Sequence, residues 1–143
     1  MIKYLIFFTI VFNSCKEKTN GNQLISISLS SSGGQMGYNS SQKITSDSLI
    51  YFYNINLDTI KAIDESKINT RYKLEEMITE KEIESLPAIK NGERTIAYDG
   101  VDTELIVETK KRKYVVVNGD KDPLWQKIKL SMATIFDEEF KRK

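Results

Sequence analysis

From residue 24 onward the spacing of apolar residues changes several times, and each change predicts an element. Residues 24–29, LISISL, alternate strictly, with Ile25, Ile27 and Leu29 on one face and Ser26 and Ser28 on the other, the pattern of a half-buried strand. Residues 30–41, SSSGGQMGYNSS, are rich in glycine and serine and predict a loop rather than the inside of an element. Residues 48–57, SLIYFYNINL, predict the strongest strand. Leu49, Tyr51, Tyr53, Ile55 and Leu57 share one face, and Ile50 and Phe52 share the other with Asn54 and Asn56. Apolar residues on both faces place this strand inside the sheet.

Residues 58–78 fit strand or helix, with the alternation of Tyr72 and Leu74 favouring strand. A helix is then announced by Thr79 and Glu82, a capping box, and by Ile78 and Ile83, a hydrophobic staple across the same cap. This helix starts at Glu80, turns Ile83 and Leu86 inward, loosens at Pro87 and stops by Asn91-Gly92. Residues 102–109 and 113–118 form a hairpin pattern: Leu105 and Val107 oppose Glu104, Ile106 and Glu108, Lys110-Lys111-Arg112 is the turn, and Asn118-Gly119 ends the second strand. Asp102 and Glu104 then share a face turned to solvent or lysines. Asp122 caps a last helix with Pro123 at its first position. Trp125, Ile128, Met132, Ile135, Phe136 and Phe140 give that helix a continuous apolar stripe, ending in the basic residues 141–143. The order predicts an α+β fold: an antiparallel sheet of about four to five strands with two amphipathic helices packed on one face.

Composition narrows the chemistry. The chain has 143 residues, enough for one domain, and its 40% apolar and 29% charged content is that of a globular protein. The net charge of +1 offers no global footprint for nucleic acid. A single cysteine, Cys15, forbids an internal disulfide, and the absence of histidine removes the commonest general base and a common zinc ligand.

Residues 1–14 carry Lys3, an apolar run from Tyr4 to Phe12 interrupted only by Thr9, and then Asn13-Ser14, the parts of a secretory signal peptide. The run is too short to span a bilayer as a helix. Phe12-Asn13-Ser14-Cys15 resembles the lipobox of bacterial lipoproteins, with Ser14 and Cys15 matching and Phe12 and Asn13 departing from the usual Leu and small residue. The resemblance implies cleavage before Cys15 and acylation of its thiol and new amine, an anchor of more than one chain and hence stable. Residues 15–23 would then be a flexible polar tether and 24–143 a single globular domain. Lys16-Glu17 resembles the charged signals that route some Gram-negative lipoproteins outward. The layout as a whole is similar to small lipoproteins of Gram-negative envelopes. It implies a lipid-anchored protein, outer-membrane by expectation, whose partners are the lipid bilayer and an envelope protein or wall component.

Candidate chemistry is sparse. Gly33, Gly34, Gln35, Met36, Gly37 and Tyr38 lack the Gly-Lys-Ser/Thr ending of a phosphate loop and predict a mobile loop, suited either to connecting strands or to gripping a partner. Asp99, Asp102 and Glu104 lack the spacing of a calcium loop. Glu75, Glu76, Glu80, Glu82 and Glu84 fit the solvated side of a helix better than a hydrolase pair. Lys110, Lys111, Arg112 and Lys113 either keep a hairpin soluble or touch anionic head groups. Tyr51, Phe52, Tyr53, Tyr114, Trp125, Phe136 and Phe140 fall at core spacing, which favours packing over a nucleic-acid or sugar platform. The expectation is a non-catalytic binding protein without metal or cofactor, inhibitor- or immunity-like. The alternatives are a structural component of an envelope assembly, which would expose an apolar patch, and a carboxylate-dependent wall or glycan hydrolase.

Overall fold

A computed structural model of the chain describes residues 23–55 and 62–140. The expected leader, Cys15, most of the expected tether and the basic residues 141–143 lie outside these residues. Six strands lie among them: β1 (Leu24–Gly33), β2 (Tyr38–Thr45), β3 (Ser48–Asn54), β4 (Ile63–Ile68), β5 (Val101–Thr109) and β6 (Lys113–Val117). They form one antiparallel sheet in the order β4-β3-β2-β1-β5-β6. Three helices complete the α+β fold: α1 (Leu74–Met77), α2 (Glu80–Ser85) and the long α3 (Pro123–Glu139). The sheet is thus wider than four to five strands, and a one-turn helix joins the two expected ones.

The extra width comes from the polar stretches. Ser30, Ser31 and Ser32 belong to β1, where the sequence predicts a loop, and residues 39–41 belong to β2. Backbone pairing on both sides of β1 sustains a strand without apolar side chains, because the ladder bonds are main-chain bonds. Serine hydroxyls add cross-strand bonds, Ser30 to Ser41 at 3.3 Å and Ser31 with Thr103 at 2.9 Å. A second departure lies at the start of β1. The register against β5 shifts between Leu24 and Ser26, so Leu24 is buried and Ile25 is 42% exposed, the reverse of strict alternation.

The core forms on one face. Ile27, Ile44, Leu49, Leu105 and Val107 line up across β1, β2, β3 and β5. Against them lies the α3 stripe, with Trp125, Ile128 and Met132 inaccessible to solvent and Ile135 and Phe136 buried. Asp122 caps α3 by accepting from the Leu124 and Trp125 amides at 2.8 and 3.2 Å. Gly119, just before that cap, leaves room for the indole, since a Cβ there would stand 2.7 Å from Trp125 Cδ1.

The chain runs from edge strand β4 back to β5 through residues 69–100, which carry α1 and α2 over the core. Buried Asn69 starts this return: its Nδ2 donates to the Thr45 and Tyr72 carbonyls, both at 2.8 Å, and its Oδ1 accepts from the Tyr72 amide at 2.9 Å. Residues 72–77 are consequently not a strand. Leu74 and Met77, three apart, are both buried in the single turn of α1. Tyr72 bonds through its hydroxyl to Glu139 at 2.9 Å and Glu138 at 3.2 Å, tying this turn to the end of α3. Burial, with the Glu139 hydrogen bond, pushes the Tyr72 hydroxyl up to about 12.

The capping box of α2 is formed as expected, Thr79 Oγ1 accepting from the Glu82 amide and Glu82 accepting from the Thr79 amide at 2.8 Å, with Ile78 and Ile83 buried beside it. Glu82 also holds Lys127 of α3 at 2.8 Å. The Lys127 hydrogen bond first, then the Thr79 amide, bring the Glu82 carboxyl down to about 2. Ionised Glu82 therefore supports the fold fully above about pH 4.5, its ordinary value, and that support is lost as pH falls toward about 2. Glu82→Gln is expected to flatten the acid-unfolding curve in that window. Because the pair is partly solvated, the loss at neutral pH should be only about 0.5–1 kcal/mol. Urea titrations at neutral and acid pH, followed by circular dichroism, would check both.

Candidate functional site

The two segments singled out in the sequence lie at opposite ends of β1, which at about 3.3 Å per residue is roughly 30 Å long. At the end where the described domain begins, Lys110, Lys111, Arg112 and Lys113 are exposed around the β5–β6 turn. Thr109 shapes this turn, its Oγ1 donating to the Arg112 carbonyl and accepting from the Arg112 amide, each at 3.0 Å. The Lys110 amide donates to the Gln23 carbonyl at 3.0 Å, so the basic turn sits beside the point where the chain enters the domain. No ion pair among the described residues engages the four cations.

At the far end the expected mobile loop is a tight turn. Gly33, Gly34 and Gly37 take positive φ angles, and the Gly37 amide closes the turn on the Gly34 carbonyl at 3.1 Å. The turn is docked on residues 95–100. The Gly34 amide donates to the Gly100 carbonyl at 3.0 Å, a Cβ on Gly33 would lie 2.3 Å from that same oxygen, and Gln35 Nε2 donates to Asp99 at 3.3 Å. Together the two segments expose Met36, Ile96, Tyr98 and Val101, with Tyr98 80% accessible. Tyr38 leaves this group and turns to the helix-bearing side of the sheet.

Asp102 organises the far end. The sequence places it on a solvated face, but it is 2% exposed, because residues 93–98 fold back over it. Its Oδ1 accepts from the Thr95 amide at 2.6 Å, from the Thr95 hydroxyl at 3.2 Å and from Asn118 Nδ2 at 2.9 Å, while Arg94 stands 3.6 Å from Oδ2. Asn118, itself at φ 48°, also donates to the Glu93 carbonyl at 2.7 Å and accepts from the Thr103 amide at 2.7 Å. The Thr95 amide above all holds the Asp102 carboxyl below the usual carboxylate range. Its oxygens serve this clamp while Asp99 binds Gln35, and Glu104 meets Asp102 only through Arg94, which stands between the two carboxylates, so the three acids do not converge on one point. Of the helical acids, Glu82 is engaged as described above, and Glu75, Glu76, Glu80 and Glu84 are exposed.

Sequence reasoning missed a third feature. The helices cover only part of the core-bearing face, leaving a cleft of about 520 Å³ between the end of α3 and the sheet. Tyr38, Ser40, Gln42 and Tyr51 form its sheet side, Asp137 and Phe140 its helix side. Phe136 and Phe140 stack at 5.4 Å and 8°, Tyr51 lies 5.5 Å from Phe140, and Tyr38 meets Tyr53 edge to face at 5.8 Å. Of the aromatics expected in the core, only Trp125 and Phe136 are fully buried. The residues 38–42 alternation that builds the cleft floor lies mostly in the stretch whose glycines and serines predict a loop, so it belongs to a strand the sequence did not announce. The chain matches no protein-family model, and comparison with the curated proteins finds no match.

Asp102→Ala strips the Thr95 amide and Asn118 of their shared acceptor and is expected to lower Tm by on the order of 5–10 °C. Arg94→Ala, whose side chain is more than half exposed, should cost a small fraction of that. Differential scanning calorimetry of the two variants separates a buried anchor from a surface ion pair.

Proposed function

We propose that the chain is a non-catalytic, lipid-anchored lipoprotein of a bacterial envelope, held to the bilayer by acylated Cys15 and binding a partner with the end of the domain farthest from the anchor. The observation that carries this reading is the hydrogen bond from the Lys110 amide to the Gln23 carbonyl. It sets four exposed cations next to the tether, where anionic head groups would attract each of them by about 1 kcal/mol. The same orientation of β1 would direct Met36, Ile96, Tyr98 and Val101 away from the membrane. Met36 sits on the glycine turn, and Ile96, Tyr98 and Val101 on the segment it docks against, which the Asp102 clamp holds in place. A rigid, partly apolar protrusion suits an inhibitor- or immunity-like protein that must present one fixed surface.

A structural role in an envelope assembly is the second reading. It is favoured by Ile50, Ile68 and Val115, exposed on the sheet face turned away from the helices.

Mass spectrometry of the protein from a bacterial membrane fraction tests the anchor. A mature chain beginning at Cys15 with added acyl mass is expected, and Cys15→Ala should remove that mass and release the protein. An unmodified chain in the soluble fraction would refute the anchor. The basic turn is tested by binding of the full chain to vesicles with and without anionic lipid. Changing Lys110, Lys111, Arg112 and Lys113 to Gln should weaken the anionic contribution by at least about tenfold at low salt, with little change at high salt.

A further inference from the structure

The cleft beside the end of α3 carries a recognition chemistry of its own. Gln42 Oε1 is buried on its sheet side and accepts no hydrogen bond from any described residue. A buried acceptor of this kind is costly unless a donor reaches it. Around it stand an exposed carboxylate, Asp137, and two hydroxyl groups, Tyr38 and Ser40, which bond to each other at 2.8 Å. The remaining wall is aromatic: Tyr51 and Phe140, braced by the Phe136 ring.

We propose that this cleft binds a neutral hexopyranose ring, with the aromatic wall taking the C–H face of the sugar and Gln42 Oε1 accepting from one of its hydroxyls. Each class of competing ligand fails on a named group. An apolar molecule would leave the Gln42 oxygen unpaired. An anion would meet the Asp137 carboxylate, and Lys67, whose ammonium lies 4.8 Å from the centre of the Phe140 ring, donates to the Glu139 carbonyl. A quaternary ammonium would suit the rings but has no proton to give Gln42. A sugar ring satisfies all three at once, since it offers an apolar face, several O–H donors and no charge. The volume of about 520 Å³ is sufficient for one or two such rings. Among the described residues Asp137 is the one carboxylate on the lining, whereas glycoside hydrolysis uses a facing pair, so the proposal is one of binding. The proposal stands apart from the lipid anchor, because the described residues that line the cleft belong to β2, β3 and the end of α3 with its cap Phe140.

Saturation-transfer NMR with the full chain tests it, using glucose and N-acetylglucosamine as probes, with glycerol and choline as controls. Transfer to the ring protons of at least one sugar is expected, and none to glycerol, which has hydroxyls but no ring face. Gln42→Leu should weaken sugar binding by on the order of tenfold while leaving Tm unchanged or raised, because the variant removes a buried acceptor that has no partner among the described residues. A merely structural glutamine would give the opposite, a lower Tm. Absence of transfer to both sugars, transfer undiminished in Gln42→Leu, or preferential transfer to choline would each overturn the proposal.

Discussion

The pairing of β1 with β5 is the constraint on which the rest of the architecture depends. Nine pairs join residues more than sixty positions apart in the chain, and the ladder can close only if residues 69–100 travel from the β4 edge back across the sheet. That return lays α1 and α2 over one face and brings residues 93–100 to the far end of β1. Closing so long a loop costs entropy, and the matching apolar rows of Ile27 with Val107 and Leu29 with Leu105 offset it. The same rows fix the register, because a slip of one residue would turn them all to the uncovered face.

Once β5 is in place, α3 has one surface to cover. Its stripe meets the rows at a seam centred on Trp125, Ile128 and Met132, and the seam runs from Gly119 to the aromatic group around Tyr51. Seventeen residues of helix are not enough to cover a six-stranded sheet. The cleft beside Phe140 follows from that shortfall rather than from a dedicated loop. Polar groups on the uncovered part of the face, among them Ser40 and Gln42, would be a defect under a helix and are suited to a site that opens to solvent.

The two ends of the domain are built by different means. Near Gln23, where the described domain begins, a short turn held by Thr109 presents cations and little else. At the far end, a buried carboxylate and a left-handed asparagine replace apolar packing, drawing residues 93–100 against β5 and supporting the glycine turn from beneath. Directional bonds of this kind specify one loop conformation where a hydrophobic contact would tolerate several.

The sequence by itself determined the elements whose signals are local. The capping box at Thr79 and Glu82, the Asp122-Pro123 start of α3, its apolar stripe and the hairpin around Lys110 are each written within a few residues, and each appears as expected. The alternation of Leu105 and Val107 likewise named the covered face of β5. Tertiary structure decided what depends on distant partners. Ser30 to Ser32 are strand because two neighbours pair with them, Leu24 and not Ile25 turns inward because β1 bulges against β5, and residues 72–77 are helical because Asn69 starts the return across the core. Asp102 is buried because residues about eight positions earlier fold over it, and Gln42 faces a cleft because α3 ends where it does. Periodicity records which face a side chain occupies; only the packed chain decides whether anything covers that face.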